Sequence, residues 1–488
     1  MSIAVAQRDD GAAIAALGLA LGGQHVHTGL PQRTIYSRDR LPYATFVVRE
    51  GRLPGKLAAF IACPADHDEV VVAVNIARRH GVPMVPYGAG SGVLGGALPL
   101  GGEMMLDLKR LNRILEINAV DRTVRVQAGM NGSQFEAALN AQGYTCGHYP
   151  QSIHMSTVGG WAACRGAGQA SGRYGKIEDI VVGLKAVLPD GSTLEVRPAA
   201  RRAVGPSVKD LLVGSEGVLG VITELSLRIW KLPEVESPMV LAFPDLASAL
   251  GAVRETIQAE LRPAVVRVYD AEETRQRTTG LAEFTARPIM VMMVFSGAAR
   301  LVETERALCE AICQAADGVP ASLAPYEHWR HGRFESYSPE WQAKGYFMDT
   351  VEVTLPWSAL PEAYEEMRRR VRAVSPEVYF GTHWSHVYAE GACQYMTIRL
   401  PPGELDARLA LHRRLWDALE SYCLEVGGSI SHHHGVGAFR NAWLAGELNG
   451  GLRLIQALKD AIDPGNLMNP GKLGLRAAPG AVVLGGVA

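Results

Sequence analysis

Cysteine is scarce and follows no pairing pattern: seven residues in 488, an odd number without short regular spacing. Such a set makes a poor disulfide framework and reads as reduced core thiols of a cytoplasmic protein. Cys309 and Cys313 stand one helical turn apart, but no second pair completes a zinc site. No stretch approaches ~20 uninterrupted apolar residues, so no membrane-spanning helix is expected. Residues 12–23 are apolar but follow Arg8, Asp9 and Asp10 rather than a basic segment, and read as a short helix instead of a signal. A positive balance is missing too. Lys+Arg at 48 against Asp+Glu at 50 leaves −2 and no general field for nucleic acid or an anionic membrane. Internal repeats are absent, and the one biased tract is the Gly/Ala-rich tail 476–488, expected to fray.

Glycine, by contrast, is abundant: 53 residues, well above the usual ~7% of a chain, and clustered. Hydrophobic residues at 48% supply a large core, and the length fits about three domains of ~150 residues. A βαβ unit opens the pattern. Residues 57–63 read as a strand, Asp66 and Asp68 open a helix that buries Val70, Val71, Val74, Ile76 and Ala77, Gly81 stops it, and 82–85 is the next strand. Strands follow at 104–106 and 123–127, then a helix to Gln142 with Ser133 as the expected cap. Residues 180–188, a turn at Asp190-Gly191, and 193–196 make a hairpin. A strand at 225–230 closes this part. Beyond residue 232 the texture changes. Amphipathic helices at 246–261, 299–316, 359–374 and 405–426 alternate with strands at 265–269, 289–295, 351–354 and 395–400. A last segment carries three adjacent histidines, His432, His433 and His434, and a helix at 451–462.

The loop from Pro86 to Gly96 follows a strand and exposes consecutive backbone N–H groups, a concavity suited to a pyrophosphate. No Gly-Lys-Ser/Thr follows, so it is not a Walker loop, and no long helix starts on it, unlike a Rossmann turn. Two more glycine-bearing segments, "STVGGW" at 156–161 and "GSEGVLGVIT" at 214–223, lie far along the chain. Three adjacent histidines suit acid–base work near neutral pH, with a surface or metal-binding cluster as the bland alternative. If extended, the segment turns His432 and His434 one way and His433 the other. Tyr395 alone reads as core. Arg267, on the alternating run 265–269, suits a substrate carboxylate or phosphate, or else a strand-edge charge. His383 and His386, three apart, suit polar pocket lining or a metal site.

The order and spacing of the three glycine segments resemble the FAD-binding domain of the vanillyl-alcohol oxidase, or para-cresol methylhydroxylase (PCMH), type over roughly residues 50–230. "GHYPQS" at 147–152, "YGKIEDIVV" at 174–182, "GACQY" at 391–395 and "SHHHGVG" at 431–437 resemble the alkyldihydroxyacetonephosphate synthases and their bacterial relatives. The resemblance implies an α+β fold: a two-subdomain PCMH-type FAD domain over 1–232, an inserted substrate cap over 233–430, and a segment 431–488 returning to complete the site. It implies FAD, held non-covalently since no histidine lies between Pro86 and Gly96. The implied cofactor contacts are Pro86, Tyr87, Gly88, Ala89, Gly90, Ser91 and Gly92, then Gln151, Ser156, Thr157, Cys164, Arg165, Gly166 and Ala167, then Glu216, Gly217, Leu219, Gly220, Val221 and Ile222. The implied catalytic set is Tyr395, His432, His433, His434, Arg267 and His148, with no metal assigned. Two activities follow. One is oxidation of a small hydroxyl-bearing substrate, with a proton abstracted and two electrons passed to the flavin. The other is the synthase exchange of acyl for alkyl through the flavin, without net redox change. Residues 337–344 lack the substrate-binding arginine of the synthases, with Arg330 and Arg333 several residues early, and Gln151 replaces their aspartate. "GAGSGVLGGALP" resembles the D-lactate and glycolate dehydrogenases instead. Oxidation is therefore the first expectation. The partner is a small molecule, not nucleic acid; a homodimer is left open.

Overall fold

Asp66 accepts the Glu69 N–H and starts the helix His67–Arg79 where the sequence places it. That helix buries Val70, Ala73, Val74, Ile76 and Ala77, with Val71 only partly covered. The chain is described by a computed structural model over residues 7–335 and 339–484.

Beside this helix lies a four-stranded sheet in the order Val26–His27, Ile61–Ala62, Met104–Asp107, Met84–Tyr87, with the last three strands parallel. The strand expected over 57–63 shrinks to two residues. A second sheet is antiparallel, in the order Ile114–Asn118, Thr123–Gln127, Val221–Arg228, Val181–Val187, Thr193–Val196. The hairpin 181–196 pairs as the Asp190-Gly191 turn predicts. Asn131, not Ser133, caps the helix Gly132–Asn140: its carboxamide oxygen accepts from the N–H groups of Ser133 and Gln134. Ser133 is already inside the first turn.

The third sheet has seven antiparallel strands: Val319–Pro320, Val235–Phe243, Ile289–Gly297, Val265–Tyr269, Tyr379–Val387, Gly391–Leu400, Phe347–Pro356. Strands 235–243 and 379–387 go beyond the sequence expectation. Helices Leu246–Gln258, Ala299–Ala315, Leu360–Val374 and Leu405–Glu425 supply the large hydrophobic cluster on one face of this sheet. Val266, Val268, Met396 and Ile398 point into that cluster, so by alternation Arg267, Tyr269, Tyr395 and Thr397 point to the opposite face.

The last segment returns to the first sheet. Met468 bridges Met84, the Asn469 N–H donates to the Met84 carbonyl, and the Lys472 ammonium donates to the Leu98 carbonyl at 2.7 Å. The tail expected to fray is ordered through Leu484, which is buried and within 3.1 Å of a Cβ built at Gly95; residues 485–488 lie outside the described ones. All seven cysteines are free thiols. Among the described residues no helix is long and apolar enough to cross a membrane.

Candidate active site

The free face of the seven-stranded sheet and the glycine loops of the two smaller sheets enclose one cavity of about 1360 Å³. Residues 86–92 line it, as do Gln151, Ser156, Thr157, Cys164, Gly166, Ala167, Glu216, Gly217, Gly220 and Ile222. A Cβ at Gly88 would sit 2.4 Å from Thr157 Oγ1. Gly90 has φ +61°, and a Cβ there would strike the Tyr87 hydroxyl. Only glycine keeps this backbone open against its neighbours. Three of the expected contact residues do not line the cavity. Leu219 and Val221 are buried in hydrophobic clusters, and the Arg165 side chain is more than half exposed, near Glu178.

This cradle carries polar groups with no protein partner. Both ring nitrogens of His148 and the Ser215 hydroxyl are buried and unbonded, and both residues line the cavity. Burial pushes the His148 pKa down to about 3, so the imidazole, tilted against Trp161 at 4.7 Å, is neutral. Buried orphans along a glycine-walled cleft are what a polar cofactor would satisfy.

On the sheet face, Tyr395 lies between imidazoles. It stacks on His383 at 4.7 Å and on His433 at 5.9 Å, and meets His434 edge-on at 5.5 Å. Its hydroxyl donates to Thr350 Oγ1 at 3.0 Å, and burial raises its pKa, keeping the phenol protonated. The strand Tyr379–Val387 is bulged between Ser385 and Val387, with His386 at φ +55°, so Ser385 and His386 both line the cavity. His386 bonds Ser171 at 2.7 Å and stacks on His432 at 4.9 Å.

The histidine triplet is not extended, and its sides differ from the alternation expected. His433 and His434 line the cavity together, while His432 is buried behind them. The cause is Glu352, a residue that sequence reasoning missed. Its carboxylate accepts from the His432 N–H at 2.5 Å, the His434 N–H at 3.0 Å and the Ser431 hydroxyl at 3.0 Å, curling the segment around one acceptor. Arg440 donates to the same carboxylate and to Glu420, each at 2.8 Å, in a fully buried triad. Burial alone would raise Glu352; the Arg440 guanidinium and the three neighbouring imidazoles together outweigh it and hold the group well below the carboxylate range. Glu420, with only part of that cation, is pushed up to about 7 by burial. Glu216 fixes the next turn, accepting from the Val436 and Gly437 N–H groups at 2.7 and 2.8 Å. Burial depresses the pKa of His383, His386, His432, His433 and His434, so all five are neutral at pH 7.

Glu352, Cys393, His432 and His433 bring ligand-type atoms within 4.8 Å of one another. The Glu352 oxygens are already occupied, and the two imidazoles bond each other through Nδ1 at 2.9 Å. The cluster is a hydrogen-bond network. His383 stacks on Tyr395 and His386 on His432, which places them as cavity lining.

Arg267 lies 3.3 Å from the Tyr269 hydroxyl, with its guanidinium 5.5 Å from the Trp329 ring. Arg333, which the sequence puts several residues early, also lines the cavity, 5.6 Å from the same ring. Beyond Tyr395 the sheet face continues with Thr397 and Arg399, next to Glu273 and Arg277 from the helix Ala271–Arg277.

Two family models match the chain: the FAD binding domain over residues 58–197 and the FAD linked oxidases C-terminal domain over 232–473. An alkyldihydroxyacetonephosphate synthase of Dictyostelium discoideum is 28% identical, the match covering 85% of this chain and 72% of that one. An uncharacterized FAD-linked oxidoreductase, YgcU, of Escherichia coli strain K12 is 30% identical over 83% of this chain and 87% of its own. The structure of a p-cresol methylhydroxylase with substrate bound superposes with a TM-score of 0.75 at 15% identity, covering 97% of this chain and 99% of that one.

Proposed function

The chain belongs to the FAD-linked oxidases, with an α+β PCMH-type fold and FAD as cofactor, and on that premise we propose that it oxidises a small, hydroxyl-bearing, anionic substrate. Bound FAD supplies a two-electron acceptor. The loop 86–92 would take the pyrophosphate, with Ser156, Thr157, Gly217 and Gly220 along the cofactor. The observation that carries the reading is the wall around Tyr395. A protonated phenol and a neutral imidazole, His433, face one space, and the wall beyond them is Thr397, Arg399, Arg277 and Glu273. Burial raises the phenol's pKa and lowers the imidazole's. Tyr395 therefore keeps a phenol proton that, turned from Thr350 to the substrate, orients the substrate oxygen, and His433 is the base that accepts the substrate's proton. Arg267 holds the anionic group of the substrate. The charged groups next to Tyr395 suit a small polar substrate at that point, which favours oxidation over acyl–alkyl exchange. Anaerobic mixing with hydroxy acids and alcohols tests this: lasting bleaching of the flavin is expected, and exchange without bleaching would overturn it.

One observation favours the second reading, a synthase exchanging acyl for alkyl on a dihydroxyacetone phosphate. Arg267 and Arg333 approach the same indole, Trp329. Two guanidinium groups suit a phosphate dianion.

Two expected results follow here. Gly90→Glu puts a side chain and a negative charge where φ is +61° and the Tyr87 hydroxyl already crowds the site. The purified variant should be colourless, read by flavin absorbance per protein. Arg267→Lys turns a planar fork into a point charge. Catalytic efficiency with the active substrate should fall by more than about tenfold, roughly 1.4 kcal/mol; unchanged efficiency would make Arg267 structural.

A further inference from the structure

The strand Gly391–Leu400 gives Tyr395, Thr397 and Arg399 to the cavity wall. In register, Tyr269, His383 and Tyr395 form one row across the sheet. Arg267 belongs to the row of Ser385 and Cys393, on one side of Tyr395, and Arg399 stands opposite Tyr379, on the other side. From Tyr395 to Arg399 the strand rises about 13 Å, at ~3.3 Å per residue. The two arginines therefore bracket the Tyr395 row from opposite ends.

Arg399 is only 7% exposed, and its charge has no counter-ion among the described residues. Its Nε and Nη1 are buried without a hydrogen-bond partner, and Nη2 donates to the neutral Gln276 carboxamide at 3.1 Å. The carboxylates around it, Glu273 and Glu340, pair instead with Arg277 at 2.5 Å and Lys344 at 2.7 Å. The guanidinium carbon lies 3.9 Å from the Tyr379 ring and 4.4 Å from the Trp341 ring, and these aromatic contacts fix its plane. A buried cation with one neutral acceptor is under-compensated, and what completes it is an anion. Arg277 is a second cation at this end of the cavity, but Glu273 already matches its charge, so Arg399 supplies the net positive charge there.

We propose that Arg399 is a second anion subsite and that the substrate carries two anionic groups. One is held by Arg267 beside the carbinol. The other, an oxyanion of carboxylate or phosphate-ester type, sits at the far end of a chain of several atoms and pairs with Arg399. The proposal rests on the oxidation reading for the carbinol alone. A planar guanidinium held between rings suits an oxyanion of either type. Arg399 determines specificity and stays remote from the reacting atoms.

The test uses the FAD-loaded protein and 2-hydroxy acids of matched chain length that end in a methyl group, a carboxylate or a phosphate ester. In anaerobic flavin reduction, wild type should use an anion-ended compound at least about tenfold more efficiently than its methyl-ended counterpart, and the preferred ending identifies the anion. In Arg399→Gln that ratio should fall to about twofold or less. The ratio is taken within each protein, so a general loss of activity cancels. No preference in wild type, or a preference that survives the substitution, overturns the subsite. A second measurement needs neither turnover nor a variant: dicarboxylates and monocarboxylates without a hydroxyl group are titrated into wild type and followed by the flavin absorption band. The dicarboxylate should bind at least about tenfold more tightly than the monocarboxylate of the same length, and equal affinity overturns the subsite. If no compound bleaches the flavin, the oxidation reading fails while these affinities still decide the subsite.

Discussion

Glu352→Ala is expected to destabilise the protein by about 3–5 kcal/mol, the usual cost of leaving a buried ionic partner uncompensated. The carboxylate is fully buried and is the acceptor for Arg440, Ser431 and two backbone N–H groups. Alanine leaves the buried guanidinium with Glu420 as its one remaining carboxylate among the described residues. The two N–H groups lose their acceptor at the same time, adding the desolvation cost of unmade hydrogen bonds. The variant should unfold at clearly lower urea concentration by circular dichroism. Glu352→Gln should lose less, because the amide oxygen still accepts. If Glu352→Ala unfolds like wild type, the carboxylate does not hold the histidine segment.

Tyr395→Phe should leave the fold and FAD content unchanged and slow flavin reduction by roughly 10²-fold or more, the order expected for a lost acid–base or orienting group. The ring keeps its stacking on His383 and His433, and among the described residues the bond lost is the one to Thr350. A purely structural tyrosine would lose only ~1 kcal/mol of stability and keep its turnover. The single-turnover rate of flavin reduction separates the two, and a wild-type rate would remove Tyr395 from the chemistry. At the triplet, the fold reverses the grouping expected from an extended segment: His433→Ala and His434→Ala should resemble each other, and His432→Ala should differ.

The glycine loops were legible because glycine is required where backbone approaches closely, as at Gly88 and Gly90. Tyr395 was legible only through a motif; its alternation in Gly391–Leu400 sets a face but not what lies opposite. Glu352 was hidden because, in the strand Phe347–Pro356, a carboxylate alternating with apolar residues reads as a solvent face. Its partner Arg440 is 88 residues away, and no local pattern joins them. The strand Val235–Phe243 carries Pro238, which argues against a sheet interior. The triplet was misread because its conformation is set by a distant acceptor, not by its own residues.

Glu216, Met84 and Leu98 are joined to residues 436–472 by the bonds that close the glycine-walled cleft. A ribosome makes the loops at 86–92 and 215–222 long before it makes that closing stretch. The nascent chain therefore displays an open groove through most of its synthesis, and cofactor capture waits for residues 436–472 to emerge, when the loops first acquire their far wall.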